Sequence, residues 1–258
     1  MAESGLSLGL PDFKAEVGEL IGYGRSGWSS AQEAAIDRVV NSGIRRVYYP
    51  PAVHESVVGY EWTWLRPYTT LSMVSGTEDY DLPDDFARFI GPIHYPAAEY
   101  KEAVVIIPTS QIEEYRSGVS TTGYPRYACE RWKSSTGSTG QRKEVCFWPE
   151  PDITKTMKYQ YEAYQGALSA TYPYPLGGMK LSELYMESCL AIVESRLNDS
   201  PGIHNRDYAA LLIDAVERDK KNGAQIYGAM GQNTTESGKF RRGHTGGTYS
   251  ITYKGEDV

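Results

Sequence analysis

Asp84 and Asp85 are the carboxylates whose proximity most suggests acid–base chemistry. Adjacent residues on a helix point about 100° apart, so such a pair would not face one substrate. Leu82-Pro83-Asp84-Asp85-Phe86 reads more simply as a helix opening, with proline in the first turn and carboxylates at the positive end. His54-Glu55 starts a zinc-type HExxH pattern, but Val58 stands where the second histidine is needed. Gly231 to Phe240 has the wrong glycine spacing for a phosphate loop, and Phe240 replaces its Ser/Thr. Cys129, Cys146 and Cys189 are odd in number and lack CxxC spacing, so neither a disulfide framework nor a zinc site is expected. Cys129 and Cys146 fall in two apolar runs that read as paired strands, which makes them core thiols. No catalytic, cofactor-binding or metal-ligating set emerges.

The elements that would position these residues follow from periodicity. Asp12 to Ile21 reads as a short helix, and a second starts at Ser30 with Glu33 at capping-box spacing. Its apolar positions Ile36, Val39, Val40, Ile44 and Val47 recur at helical intervals until Pro50-Pro51. From Tyr60 the period changes. Residues 70–74 and the segment after Asp79 read as a hairpin around Ser75-Gly76-Thr77. Trp62 and Trp64 alternate as on one strand face, anchoring a small β core. Strands are expected at 104–107, 124–132, 144–148 and 157–163, with a helical turn at 111–115. Helical spacing returns in Leu181 to Val193 and Tyr208 to Val216. Beyond Gly228 a Gly/Thr/Ser-rich stretch lacks a core pattern.

The expected class is therefore α+β: a discontinuous α-helical bundle (1–59 and 175–228), a β-rich insertion (60–174) and an extended C-terminal tail (229–258). In that tail Tyr249, Ile251 and Tyr253 alternate like a strand in need of a sheet edge, and Lys239, Arg241, Arg242 and Lys254 add positive charge. These seven residues are the candidates for docking on a neighbouring subunit or partner.

Composition narrows the function. The 258 residues carry 26 basic and 33 acidic side chains, a net charge of −7. Residues 1–100 hold 7 basic and 14 acidic side chains, so the whole excess lies there. A chain of this charge has no general grip on phosphates. Met1-Ala2-Glu3-Ser4 lacks the start of a signal peptide and no apolar run approaches bilayer length, so neither a membrane nor a secretory role is expected. Tyrosine outnumbers phenylalanine 21 to 5; surfaces that are apolar on one side and wet on the other favour tyrosine, as protein interfaces do.

Three segments in order carry a resemblance: Asn41-Ser42-Gly43-Ile44-Arg45-Arg46-Val47-Tyr48-Tyr49-Pro50-Pro51, then Trp62-Thr63-Trp64-Leu65-Arg66-Pro67, then Tyr80-Asp81-Leu82-Pro83-Asp84-Asp85-Phe86. Together they resemble the head-to-tail adaptor proteins of tailed bacteriophages, over roughly residues 28–90, with Thr63 and Trp64 in place of the family's Ser and Phe. The resemblance implies a structural ring of about twelve copies beneath the portal vertex. It would be assembled in the host cytoplasm, join capsid to tail in the virion neck, and let genomic DNA pass through its lumen without specific binding. Its partners would be the portal protein and the next neck or tail-layer protein, with no cofactor. An acidic lumen would repel phosphate and let DNA slide, and Glu78, Asp79, Asp81, Asp84 and Asp85 are the candidates for lining it. Two other readings stand beside this one. The chain could be a tail-tubular or head-completion component of another neck layer, or a metal-dependent hydrolase using Asp84, Asp85 or His54.

Overall fold

The computed structural model describes residues 4–99, 101–118, 121–133, 142–164, 166–198, 202–222, 252–253 and 256–257. Among the described residues there are five helices: α1 (Leu10–Ile21), α2 (Ser30–Tyr48), α3 (Thr109–Gly118), α4 (Ser182–Asn198) and α5 (Ile203–Asn222). The strands are β1 (Tyr68–Met73), β2 (Asp79–Asp81), β3 (Phe86–Phe89), β4 (Val105–Ile106), β5 (Thr122–Gly123), β6 (Tyr127–Lys133), β7 (Arg142–Trp148), β8 (Glu150–Pro151) and β9 (Lys155–Ala163), then β10 (Thr252–Tyr253) and β11 (Glu256–Asp257). The fold is mixed α+β, as the sequence pattern indicates. Residues 1–220 form one compact unit. Residues 221–258 form a second, in which β10 and β11 pair antiparallel.

α1, α2, α4 and α5 share one core built on Phe13, Val17, Ile36, Val40, Ile44, Val47, Tyr185, Cys189, Tyr208, Leu212 and Val216. The α2 stripe read from the sequence is thus its buried face, each large side chain contributing about 1.5–3 kcal/mol by leaving water. Gly43 sets how closely α2 and α4 approach, since a Cβ there would lie 2.5 Å from Cys189 Sγ and 2.8 Å from its Cα. Ser188 Oγ donates to the Gly43 carbonyl at 2.8 Å across the same seam. The α2 N-cap is Ser29, one residue earlier than the Ser30/Glu33 reading. Its hydroxyl accepts from Gln32 N at 3.4 Å, and Gln32 Oε1 accepts from Ser29 N at 2.9 Å. Either serine has the required spacing; the chain uses the one with Gln three residues on.

The β region has its own core, with Met73, Phe86, Val145, Phe147, Met157, Tyr159 and Tyr161 buried together. β9 runs between β1 and β3, and its inward residues Met157, Tyr159, Tyr161 and Ala163 alternate as the sequence shows. A second sheet has the order β2-β7-β6-β4. β7 is buried on both faces: Val145 and Phe147 point into the core, while Cys146 sits under α3 with Ile112 and Cys129.

Three local expectations are corrected. Segments 70–74 and 79–81 are not a hairpin, because β1 pairs with β9 and β2 with β7, so the Ser75-Gly76-Thr77 turn carries the chain between sheets. Trp62-Thr63-Trp64 is not a strand, because residues 63–65 form a 3₁₀ turn. Buried Trp62 donates its indole N–H to the Val47 carbonyl at 2.8 Å, and Trp64 packs on Trp62 with ring centroids 5.3 Å apart. The helical core thus captures both rings. Leu82 to Phe86 opens no helix: Asp84 and Asp85 form a turn that leads into β3. The Ser/Thr/Gly-rich residues 134–140, which the sequence suggests as a connection between two strands, lie outside the described residues.

Candidate functional site

The register of β2, β7 and β6 places charged residues in rows on one face. Asp79 lies opposite Cys146, which lies opposite Cys129; Asp81 lies opposite Glu144, which lies opposite Arg131. Alternation puts Cys129, Arg131 and Lys133 on that same side. Asp79 accepts from Arg116 at 2.8 Å and from Arg131 at 2.9 Å. Arg131 also donates to Glu144 at 2.6 Å and to Glu113 at 3.0 Å. Arg116, brought in by α3, reaches the Phe147 carbonyl at 3.1 Å and lies 3.3 Å from Glu78.

Partial burial works against the Asp79 charge, but the hydrogen bonds and charges of Arg116 and Arg131 outweigh it and hold its carboxyl below the usual range. Beneath this network the two thiols form a dyad. A hydrogen bond from Cys146 pulls Cys129 down to about 7. The hydrogen bond to Cys129, and burial, push Cys146 up. Both are fully buried, so access rather than acidity limits their reactivity.

The remaining members of the acidic cluster are placed as follows. Lys133 Nζ lies 2.5 Å from Asp81, Arg142 lies 3.3 Å from Asp84, and Tyr161 donates its hydroxyl to Asp85 at 3.0 Å. Each acidic residue of the 78–85 segment therefore has a basic or hydroxyl partner, and the bases come from β6, β7 and α3. The sequence reading found the acids but not these partners, because strand register brings residues 131, 133 and 142, and the packing of α3 brings residue 116, alongside 78–84. The one available signal was the alternation of Arg131 and Lys133 with Trp132.

Among the described residues, the only group of three or more metal-capable side chains close enough for one ion is Asp79, Glu144 and Cys146, within 4.8 Å of one another. Arg131 bridges its two carboxylates, so a cation is already supplied by the protein and the set does not suit a metal. That group contains none of His54, Asp84 and Asp85. His54 hydrogen-bonds to Ser56 Oγ at 2.9 Å in the turn after α2.

Two further features escaped sequence reading. Asp219, buried on α5, accepts from Tyr60 Oη at 2.7 Å, from Thr63 N at 2.9 Å and from Thr63 Oγ1 at 2.6 Å. It ties the tryptophan turn to the helical core. Arg45, Arg46 and Arg196 converge on a groove of about 600 Å³ between α2, α4 and α5. Of the tail candidates, Lys239, Arg241, Arg242, Tyr249, Ile251 and Lys254 lie outside the described residues, while Tyr253 is described only as backbone in β10. No described helix is long and apolar enough to cross a membrane.

Comparison with curated proteins finds no match. Comparison with family models does: the model described as SU10 adaptor protein matches residues 10–234, which takes in all five helices and both large sheets. The chain belongs to the SU10 adaptor family of phage head-to-tail adaptor proteins.

Proposed function

We propose that this adaptor forms a ring of about twelve copies beneath the portal, joins the capsid to the next neck or tail layer, and encloses a channel for DNA. The family match across residues 10–234 carries the reading. Exposed aromatic residues support it: Tyr68 and Tyr172 keep about three quarters of their surface in water, and Tyr23, Tyr49 and Tyr174 are also exposed. Rings of this kind bury such side chains between subunits. The role is structural and located in the virion neck.

Two finer assignments belong to the same proposal. The acidic segment Glu78, Asp79, Asp81, Asp84 and Asp85 faces the lumen, where pairing with Lys133 and Arg142 leaves a surface that neither holds phosphate nor repels it strongly. The tail residues Lys239, Arg241, Arg242, Tyr249, Ile251, Tyr253 and Lys254 dock on portal or on an adjacent copy. Mixing the purified chain with its portal and imaging the product tests the reading. A ring of adaptor density directly under portal is expected. Failure to bind portal, or location in another neck layer, overturns it.

A further inference from the structure

Most of the described arginines sit beside an acid. Arg88, Arg116, Arg131 and Arg142 each have a carboxylate at ion-pair distance. The seam between α2 and α4 is different. Among the described residues, Arg38, Arg45, Arg46 and Arg196 have no carboxylate at that distance. Arg45, Arg46 and Arg196 line the groove of about 600 Å³ with Tyr49, Ile192 and Asn205. Arg196 also lines an adjoining groove of about 410 Å³ with Arg38, Tyr23 and Leu197.

Arg46 is held in place by neutral groups. It donates to Asn205 Oδ1 at 2.9 Å, and its guanidinium lies 4.3 Å above the Tyr208 ring. Arg38 donates only to the Ala34 carbonyl. Basic residues in the last turn of a helix are favoured by the dipole, which accounts for Arg45, Arg46 and Arg196 one at a time. It does not account for four guanidiniums gathered along one seam of a chain with net charge −7, none of them beside a carboxylate among the described residues.

From Arg38 to Tyr49 the seam runs along α2 for about 16 Å, the length of roughly five extended residues. Tyr23, Leu197, Tyr49 and Ile192 add apolar surface between the charges. A nucleic-acid backbone has no use for that apolar lining, and the net charge of the chain opposes approach of a polyanion. A short protein segment that alternates carboxylates with apolar side chains fits both features.

We infer that the α2/α4 seam is a docking site for an acidic, partly apolar protein segment, with Arg45 and Arg196 as its principal carboxylate anchors and Arg46 as a fixed one. The inference stands on the seam itself and does not require the ring proposed above. Binding of a labelled Glu-Leu-Glu-Phe-Glu peptide to the full chain tests it, with the equivalent peptide carrying lysine for glutamate and a short DNA duplex as comparisons. The exposed pair Arg45→Gln and Arg196→Gln should weaken acidic-peptide binding at least about tenfold with an unchanged circular dichroism spectrum. Arg206→Gln, an exposed arginine outside both grooves, should leave binding as it was. Three results overturn the inference: no binding of the acidic peptide, equal loss in the Arg206 variant, or displacement of the peptide by the DNA duplex.

Discussion

Asp219 shows how much one buried side chain can organise. Three donors from the Tyr60–Thr63 segment converge on its carboxylate, and removing it would leave each without a partner in a place that water reaches poorly. Hydrogen bonds to a charged group are worth more than neutral ones, and orphaned buried donors cost their desolvation. Asp219→Ala should therefore lower stability by about 2–3 kcal/mol, read from urea denaturation. Asn, which keeps the shape but accepts fewer bonds, should fall between it and wild type. Asp79 predicts a pH effect of definite sign. Its folded-state carboxyl titrates below the ordinary aspartate value of 3.8, so its contribution is complete above that value and is lost as pH falls through the lower folded one. Asp79→Asn should be less stable than wild type at neutral pH, and the difference should shrink as denaturation curves are repeated toward acid. A difference that grew with acid would refute the role given to Arg116 and Arg131. The three cysteines, all fully buried, should resist iodoacetamide until the chain unfolds, alkylation following denaturant rather than pH.

Helix packing depends on what a position lacks as much as on what it holds. A methyl group on Gly43 would press on the Cα and sulfur of Cys189, and backbone cannot rotate away as a long side chain can. Gly43→Ala should destabilise by about 1–3 kcal/mol despite alanine's better helix propensity, as thermal unfolding would show. The helices were legible in the sequence because the apolar residues at Ile36, Val40, Ile44 and Val47 recur at 3.6-residue intervals, a pattern that does not depend on the partner. β9 was legible for the same reason at period two. Gly43 was not, since its role exists only where α4 crosses. The false hairpin at Ser75-Gly76-Thr77 has a similar cause. Turn chemistry marks where the chain bends, whereas the strands that pair afterwards are chosen by hydrogen bonds to β7 and β9, some 65 to 90 residues downstream. The tryptophan pair misled because alternation over three residues cannot distinguish a strand from a 3₁₀ turn whose rings fold back onto a neighbouring core. At the candidate site the acids were visible as a run, while the three arginines and one lysine that neutralise them arrive from three separate elements, α3, β6 and β7.

At the scale of the whole molecule, the surface determines whether copies assemble unaided. Compact residues 1–220 carry two large cores, and the large apolar side chains left outside are mostly tyrosines, leucines and valines. Spontaneous, obligate oligomers bury surfaces that resemble a core cut in half. Tyrosine-rich contacts interspersed with ion pairs are weaker, and they become stable when a template holds neighbours at high local concentration. A net charge of −7 on every copy adds repulsion that must be overcome each time two copies meet in solution. The isolated chain should therefore sediment as a monomer at micromolar concentration and form rings only when portal is added. Raising salt should screen the repulsion and promote self-association slightly without producing closed rings. Analytical ultracentrifugation of the chain alone, of portal alone and of the mixture separates these outcomes. A closed ring in the absence of portal would mean that the exposed tyrosines make a stronger interface than a template-dependent one, and the templating argument would fail.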